Sequence, residues 1–239
     1  MFFKCDDEDN ILDQIACKVG TDKSRVKHFY TKWYDFYFSP IRYNKMNILE
    51  IGVNKGPSIL MWDEFFENST VYGIELKKYK YVIKKNVLKK FTIFFGDQSD
   101  KIFLEKVKKS VPDGFDIIID DGSHMADHQI TSFKNLFKDL NAGGVYVIED
   151  IFLSYNKHFR SKNNSTIIDF IYQKIDDLNF KGRFKWCNFS IIKEYEKSQK
   201  EARDRRTKKG FLKVSIEEYE EMILAIHFYH GICFIFKRL

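Results

Sequence analysis

The chain has 239 residues, 44% of them hydrophobic, which suffices for one sizeable core and argues against two full domains. Its 40 Lys and Arg against 34 Asp and Glu leave a net charge of +6, which permits attraction to phosphates but equally serves solubility. Aromatic residues reach 17%, yet the 24 phenylalanines are core residues more often than base-stacking ones, so nucleic acid is not an expected partner.

Residues 1–40 read as a helical N-terminal extension or lid. Asp6-Asp7-Glu8-Asp9 turns the start of the chain acidic, unlike a signal peptide. Ile11, Leu12, Ile15 and Ala16 then fall at helical spacing until Gly20 stops the helix. Thr21-Asp22-Lys23-Ser24 offers capping chemistry for a second helix rich in Tyr and Trp. The same residues are also placed to close over a ligand. From residue 41 the pattern becomes strand, turn, helix: Asn47 to Gly52, the helix Ile59 to Phe66, and the strand Thr70 to Glu75. A third strand, Phe91 to Phe95, ends at Gly96-Asp97-Gln98-Ser99-Asp100. Ile117-Ile118-Ile119 and Val145 to Ile148 are two further strands, with the helix Ala126 to Leu140 between them. Strand, crossover helix and strand predict a mainly parallel, five-stranded α/β sheet with helices on both faces. The chain closes on two strand segments around Gly231, of which a terminal antiparallel strand completes the sheet. The charged run Lys193 to Lys209 reads as a solvated helix or loop, whose Arg205-Arg206 is a candidate phosphate contact. No segment approaches the length of a membrane span. Cys5, Cys17, Cys187 and Cys233 lack metal-ligand spacing and read as reduced thiols of an intracellular, cytoplasmic protein.

Two acidic clusters each follow a strand directly. Asp120, Asp121 and His124 come after one, and Glu149 and Asp150 after the other. In parallel sheets ligands bind beyond the carboxyl ends of the strands, so these side chains are expected to converge. Carboxylates gathered in one crevice repel one another unless a cation neutralises them, and hard oxygen donors suit Mg²⁺, Ca²⁺ or Mn²⁺. Two other readings stand beside this one: His124 and His128, four apart, as a zinc pair, and Asp121 with Ser123 as a helix cap.

Glu50-Ile51-Gly52-Val53-Asn54-Lys55-Gly56 lies between a strand and a helix, where glycines let the backbone approach a ligand. Glu75 at the end of the second strand is placed to accept hydrogen bonds from ribose hydroxyls. Asp97 at the third strand end suits an adenine amino group. A pyrophosphate would favour a helix N-terminus free of carboxylates, whereas Glu50 suits a cationic adenosine ligand. S-adenosylmethionine therefore fits better than NAD.

Together the segments LEIGVNKGPSILMW, VYGIE, GDQSD, DDGSH, GGVYVIED and IHFYHG, with GTDKS, His28 and Tyr30, resemble class I S-adenosylmethionine-dependent methyltransferases. The resemblance is to the metal-dependent sugar O-methyltransferases of the macrocin and mycinamicin type. It implies a Rossmann-like sheet with a C-terminal antiparallel strand over residues 41–239, with 156–211 as a variable acceptor-side insertion. It further implies Mg²⁺ on Asp121, Glu149 and Asp150, and His124 as general base. Glu50, Gly52, Gly56, Ser58, Glu75, Asp97, Gln98 and Asp120 would line the cofactor site. The expected acceptor is a sugar hydroxyl on a nucleotide, polysaccharide or natural product, and a homo-oligomer is compatible with the pattern. An RNA, catechol or amine acceptor and a non-catalytic adenosine-binding protein are the alternatives. The chain shows no counterpart of the large N-terminal domain of the macrolide enzymes, and 156–211 matches little.

Overall fold

The computed structural model describes residues 10–180, 219 and 222–239. Lys193 to Lys209, the acidic run Asp6 to Asp9, Cys5 and Cys187 lie outside the described residues. Seven strands form one sheet: β1 Asn47–Ile51, β2 Thr70–Glu75, β3 Thr92–Phe95, β4 Phe115–Asp120, β5 Leu140–Ile148, β6 Ile223–Tyr229 and β7 Ile232–Lys237. Their order is β3-β2-β1-β4-β5-β7-β6. β1 to β5 pair in parallel, whereas β7 runs antiparallel to both β5 and β6. This is the expected Rossmann-like sheet with a C-terminal antiparallel strand. The closing hairpin adds both of its strands to it.

The helices are α1 Ile11–Val19, α2 Thr31–Phe38, α3 Pro57–Phe65, α4 Lys85–Lys90, α5 Lys101–Ser110, α6 Ala126–Leu136 and α7 Ile167–Phe180. Two buried clusters flank the sheet. One joins α1, α2 and α3 to Ile48, Ile117, Val147 and Phe234. The other joins α5, α6 and α7 to Leu49, Ile118, Tyr146 and Ile235. Consecutive strand residues such as Ile48 and Leu49 thus face opposite cores, which is why these strands read as continuous apolar runs. Burying a side chain such as Ile118 on this scale stabilises the fold by about 1.5–3 kcal/mol.

α1 starts where Asn10 accepts the Asp13 N–H at 2.7 Å, and ends at Gly20, whose φ of 78° is the left-handed conformation of a helix stop. Thr21 to Ser24 do not cap a second helix, contrary to the expectation. Residues 21–30 form a run of turns, and α2 begins only at Thr31. The physical reason is the Lys23 side chain, drawn wholly into the interior by carboxylates, which a continuous helix from Thr21 would not serve. Among the described residues no helix is long and apolar enough to cross a membrane. Cys17 and Cys233 are free thiols.

Candidate active site

The strand order reverses between β1 and β4, where Ile51 pairs with Asp120. At such a switch point the loops beyond adjacent strands part and leave a crevice. A cavity of about 970 Å³ opens there, within the size range of small-molecule sites. Gly52, Ser58, Glu75, Asp97 and Gln98 line it, as do Asp121, His124 and Asp150. One cavity therefore reaches from the ends of β2 and β3 to the acidic loops after β4 and β5. Thr21 and Asp22 also border it.

The remaining expected cofactor residues sit behind this wall. Glu50 is fully buried, accepting from Ser58 Oγ at 2.8 Å and Trp62 Nε1 at 3.4 Å. Asp120 is also fully buried, with Gln98 Nε2 on one oxygen and the Tyr146 hydroxyl on the other, both at 3.0 Å. Gly56 caps the start of α3 with φ 91°. On the cavity side, Glu75 accepts the backbone N–H of Asn54 at 2.7 Å and of Leu76 at 2.6 Å. Asp97 receives the Ser99 N–H and hydroxyl at 2.8 Å, and these bonds outweigh its burial and hold its carboxyl below the ordinary range. Gly52 has φ 94°, and a Cβ there would stand 2.1 Å from the Asp121 carbonyl oxygen. Only glycine lets this loop pack so closely on the next one.

At the other end of the cavity, single donor atoms of Asp121, His124 and Asp150 lie within 4.8 Å of one another. His124 Nε2 stands 4.0 Å from Asp121 Oδ1 and 3.8 Å from Asp150 Oδ2, too far for hydrogen bonds. Among the described residues its Nδ1 is buried without a partner. Both His124 (φ 56°) and Asp150 (φ 55°) adopt the left-handed conformation that non-glycine residues rarely occupy, as functional loops often do. The carboxylate oxygens of Asp121 and Asp150, set around a gap, fit a hard divalent cation, and the His124 imidazole beside them can join that set or hold a proton. Glu149 adjoins them but is fully buried. Lys23 Nζ donates to its Oε2 at 2.8 Å and the Tyr34 hydroxyl to its Oε1 at 2.5 Å. The alternative pairings fall elsewhere: His128 Nδ1 meets Ser123 Oγ at 2.9 Å, and Asp121 caps no helix.

Lys23, read from the sequence as part of a helix cap or of a segment closing over the ligand, instead reaches into the cluster of carboxylates. Its ammonium, fully buried, lies 2.5 Å from Asp121, 2.8 Å from Glu149 and 3.6 Å from Glu50. Burial alone would lower its pKa, but those three carboxylates outweigh the burial and raise it. Burial pushes Glu50 up to about 7, with Lys23 opposing the shift. Asp121 and Glu149 are raised as well, first by burial; Lys23 opposes both shifts, and Asp121 adds to that of Glu149. Among the described residues one ammonium is shared by Glu50, Asp121 and Glu149, with Asp150 acting on Asp121 besides, and a bound cation would relieve that crowding of carboxyls.

No protein-family model matches the chain. The chain is 34% identical over 151 residues to mycinamicin VI 2''-O-methyltransferase of Micromonospora griseorubida, covering 60% of this chain and 37% of that protein. It is 33% identical over 178 residues to 8-demethyl-8-alpha-L-rhamnosyl tetracenomycin-C 2'-O-methyltransferase of Streptomyces olivaceus, covering 70% and 46%. It is 31% identical over 179 residues to demethylmacrocin O-methyltransferase of Streptomyces fradiae, covering 70% and 44%. The chain thus spans less than half the length of these relatives. Among solved structures, the MycE methyltransferase of the mycinamycin biosynthetic pathway, in complex with Mg and SAH, superposes with a TM-score of 0.70 at 27% identity. That match covers 95% of this chain and 54% of MycE.

Proposed function

We propose, for a chain that belongs to the class I S-adenosylmethionine-dependent methyltransferases, transfer of a methyl group to a sugar hydroxyl with Mg²⁺ and with His124 as general base. The reading rests on one observation: the cavity that holds Glu75 at one end holds Asp121, His124 and Asp150 at the other. An adenosine ligand anchored on Glu75, Asp97 and Gln98 would project its reactive end toward those acidic loops, where an acceptor would meet it. Glu50, buried beneath Ser58, would contribute negative charge to the floor under a cationic ligand.

When bound, S-adenosylmethionine supplies an electrophilic methyl on a sulfonium, and Mg²⁺ supplies the Lewis acidity that favours loss of the acceptor's proton. The protein's own part is orientation and proton removal. Asp121, Glu149 and Asp150 would supply carboxylate oxygens for the cation, Glu149 through the lone pairs that Lys23 and Tyr34 leave free, and His124 would stay off the cation as the base. His124 Nε2, facing Asp121 and Asp150, takes the hydroxyl proton as the new C–O bond forms and the C–S bond breaks. Binding acceptor and methyl donor in one cavity would remove much of the orientational cost of a bimolecular step. The acceptor of the relatives named above is a sugar-bearing natural product in at least the rhamnosyl case, which favours a glycoside over a free nucleotide for this chain. Incubation with S-adenosylmethionine, Mg²⁺ and a panel of rhamnosides tests the reading. Product gaining one methyl, lost in a His124→Ala protein and on chelation, is the expected result; turnover that survives both changes would overturn it.

A further inference from the structure

Each carboxylate assigned to the cation has a side-chain donor behind it, and among the described residues these donors all come from residues 23–34. Lys23 Nζ holds Asp121 Oδ2 and Glu149 Oε2, the Tyr34 hydroxyl holds Glu149 Oε1, and the Tyr30 hydroxyl holds Asp150 Oδ1 at 2.7 Å. The oxygens left over, Asp121 Oδ1 and Asp150 Oδ2, are the ones that face His124 Nε2. A carboxylate turns about its last torsion with little preference, so a donor fixed on one oxygen decides where the other points.

That segment is itself tied down. Asp13 on α1, fully buried, accepts the Arg25 N–H at 2.7 Å and the Thr31 hydroxyl at 2.6 Å, and Thr31 N–H donates to the Lys23 carbonyl at 3.1 Å. On the far side Gly231, with φ 79°, leaves room for Tyr30: a Cβ there would stand 2.5 Å from the hydroxyl oxygen, which also donates to the Gly231 carbonyl at 3.2 Å. We infer that Lys23, Tyr30 and Tyr34 are positioning residues of the cation site, so that the N-terminal segment is a structural half of that site rather than a lid over it. The inference rests on the cation reading above. It adds residues that do not line the cavity.

Tyr30→Phe tests it, because the ring keeps its stack on His28 at 5.2 Å while only the hydroxyl is lost. Mn²⁺ binding to the full chain, without cofactor or acceptor, is followed by electron paramagnetic resonance, and S-adenosylmethionine binding by calorimetry. Loss of a hydrogen-bonding partner behind a metal ligand is expected to weaken Mn²⁺ binding about 10- to 100-fold, with cofactor affinity within about twofold. Tyr37→Phe, whose hydroxyl meets His227 and Tyr229, is the control of like chemistry and is expected to leave Mn²⁺ affinity unchanged. Unaltered Mn²⁺ affinity in Tyr30→Phe overturns the inference alone, as does an equal fall in cofactor affinity, which would mark a general loss of structure. An unmodified protein that binds no Mn²⁺ would overturn the cation reading itself.

Discussion

Replacing Glu50 by glutamine isolates the cost of a buried charge at the floor of the site. Glu50 is fully buried, and its carboxyl is pushed from 4.5 up to about 7 by that burial, against the pull of Lys23 at 3.6 Å. A carboxyl whose folded pKa lies above its unfolded value contributes stability that is complete below the unfolded value and is lost as pH rises through the folded one. For Glu50 that window runs from 4.5 to about 7. At 1.36 kcal/mol per unit the loss across it is on the order of 3 kcal/mol. The glutamine keeps a carbonyl acceptor for Ser58 or Trp62 but carries no proton to lose in this range. Urea unfolding of the unmodified and Glu50→Gln proteins, both freed of metal by a chelator, at about pH 5 and about pH 8 measures the difference. The unmodified protein is expected to lose roughly 2.5 kcal/mol more than the variant between those conditions. Parallel pH profiles, agreeing to within about 0.5 kcal/mol, would refute the reasoning.

Further outcomes follow from single contacts. Glu75→Gln should weaken S-adenosylmethionine binding about 10- to 100-fold by calorimetry, the scale of charge-assisted hydrogen bonds lost from an anionic acceptor. His124→Ala should lower turnover by roughly 10²- to 10⁴-fold while cofactor affinity stays within about twofold, since general-base catalysis and binding are separate losses. Gly52→Ala adds a Cβ that would stand 2.1 Å from the Asp121 carbonyl at a backbone φ of 94°, so the loops must part. It should cost roughly 3 kcal/mol or more in urea unfolding and abolish cofactor binding. Lys23→Met leaves Glu50, Asp121 and Glu149 without their shared ammonium, and stability measured near neutral pH should fall by roughly 3–5 kcal/mol, with partial recovery in acid as those carboxyls protonate.

The parallel strands and their acidic ends were legible because the local signals agree with the global fold: short β-branched runs such as Ile117-Ile118-Ile119 stop abruptly at Asp, Glu or Gly. Strand order then brings Glu75, Asp97, Asp121 and Asp150 to one cavity without further information. What escaped the sequence depends on contacts between distant segments. Lys23 looks like any solvated lysine until Asp121 and Glu149, 98 and 126 residues away, surround it. For the same reason Thr21 to Ser24 imitate a helix cap that the chain does not use. Glu50 and Asp120 lie at strand ends as Glu75 and Asp121 do, but Ser58 and Gln98 stand between them and the cavity, a matter of side-chain packing that spacing does not encode. Tyr30, just before α2, and Tyr34, within it, carry a weaker signal still, since buried aromatic residues of a helix are usually core.

Calorimetric titration of the full chain with S-adenosylmethionine, run beside NAD and repeated on Glu75→Ala, tests the central claim most directly. Saturable binding of S-adenosylmethionine that NAD does not reproduce and that the variant loses is the expected result. Heats of dilution alone, or equal binding of both ligands, would contradict the assignment of this cavity to the methyl donor.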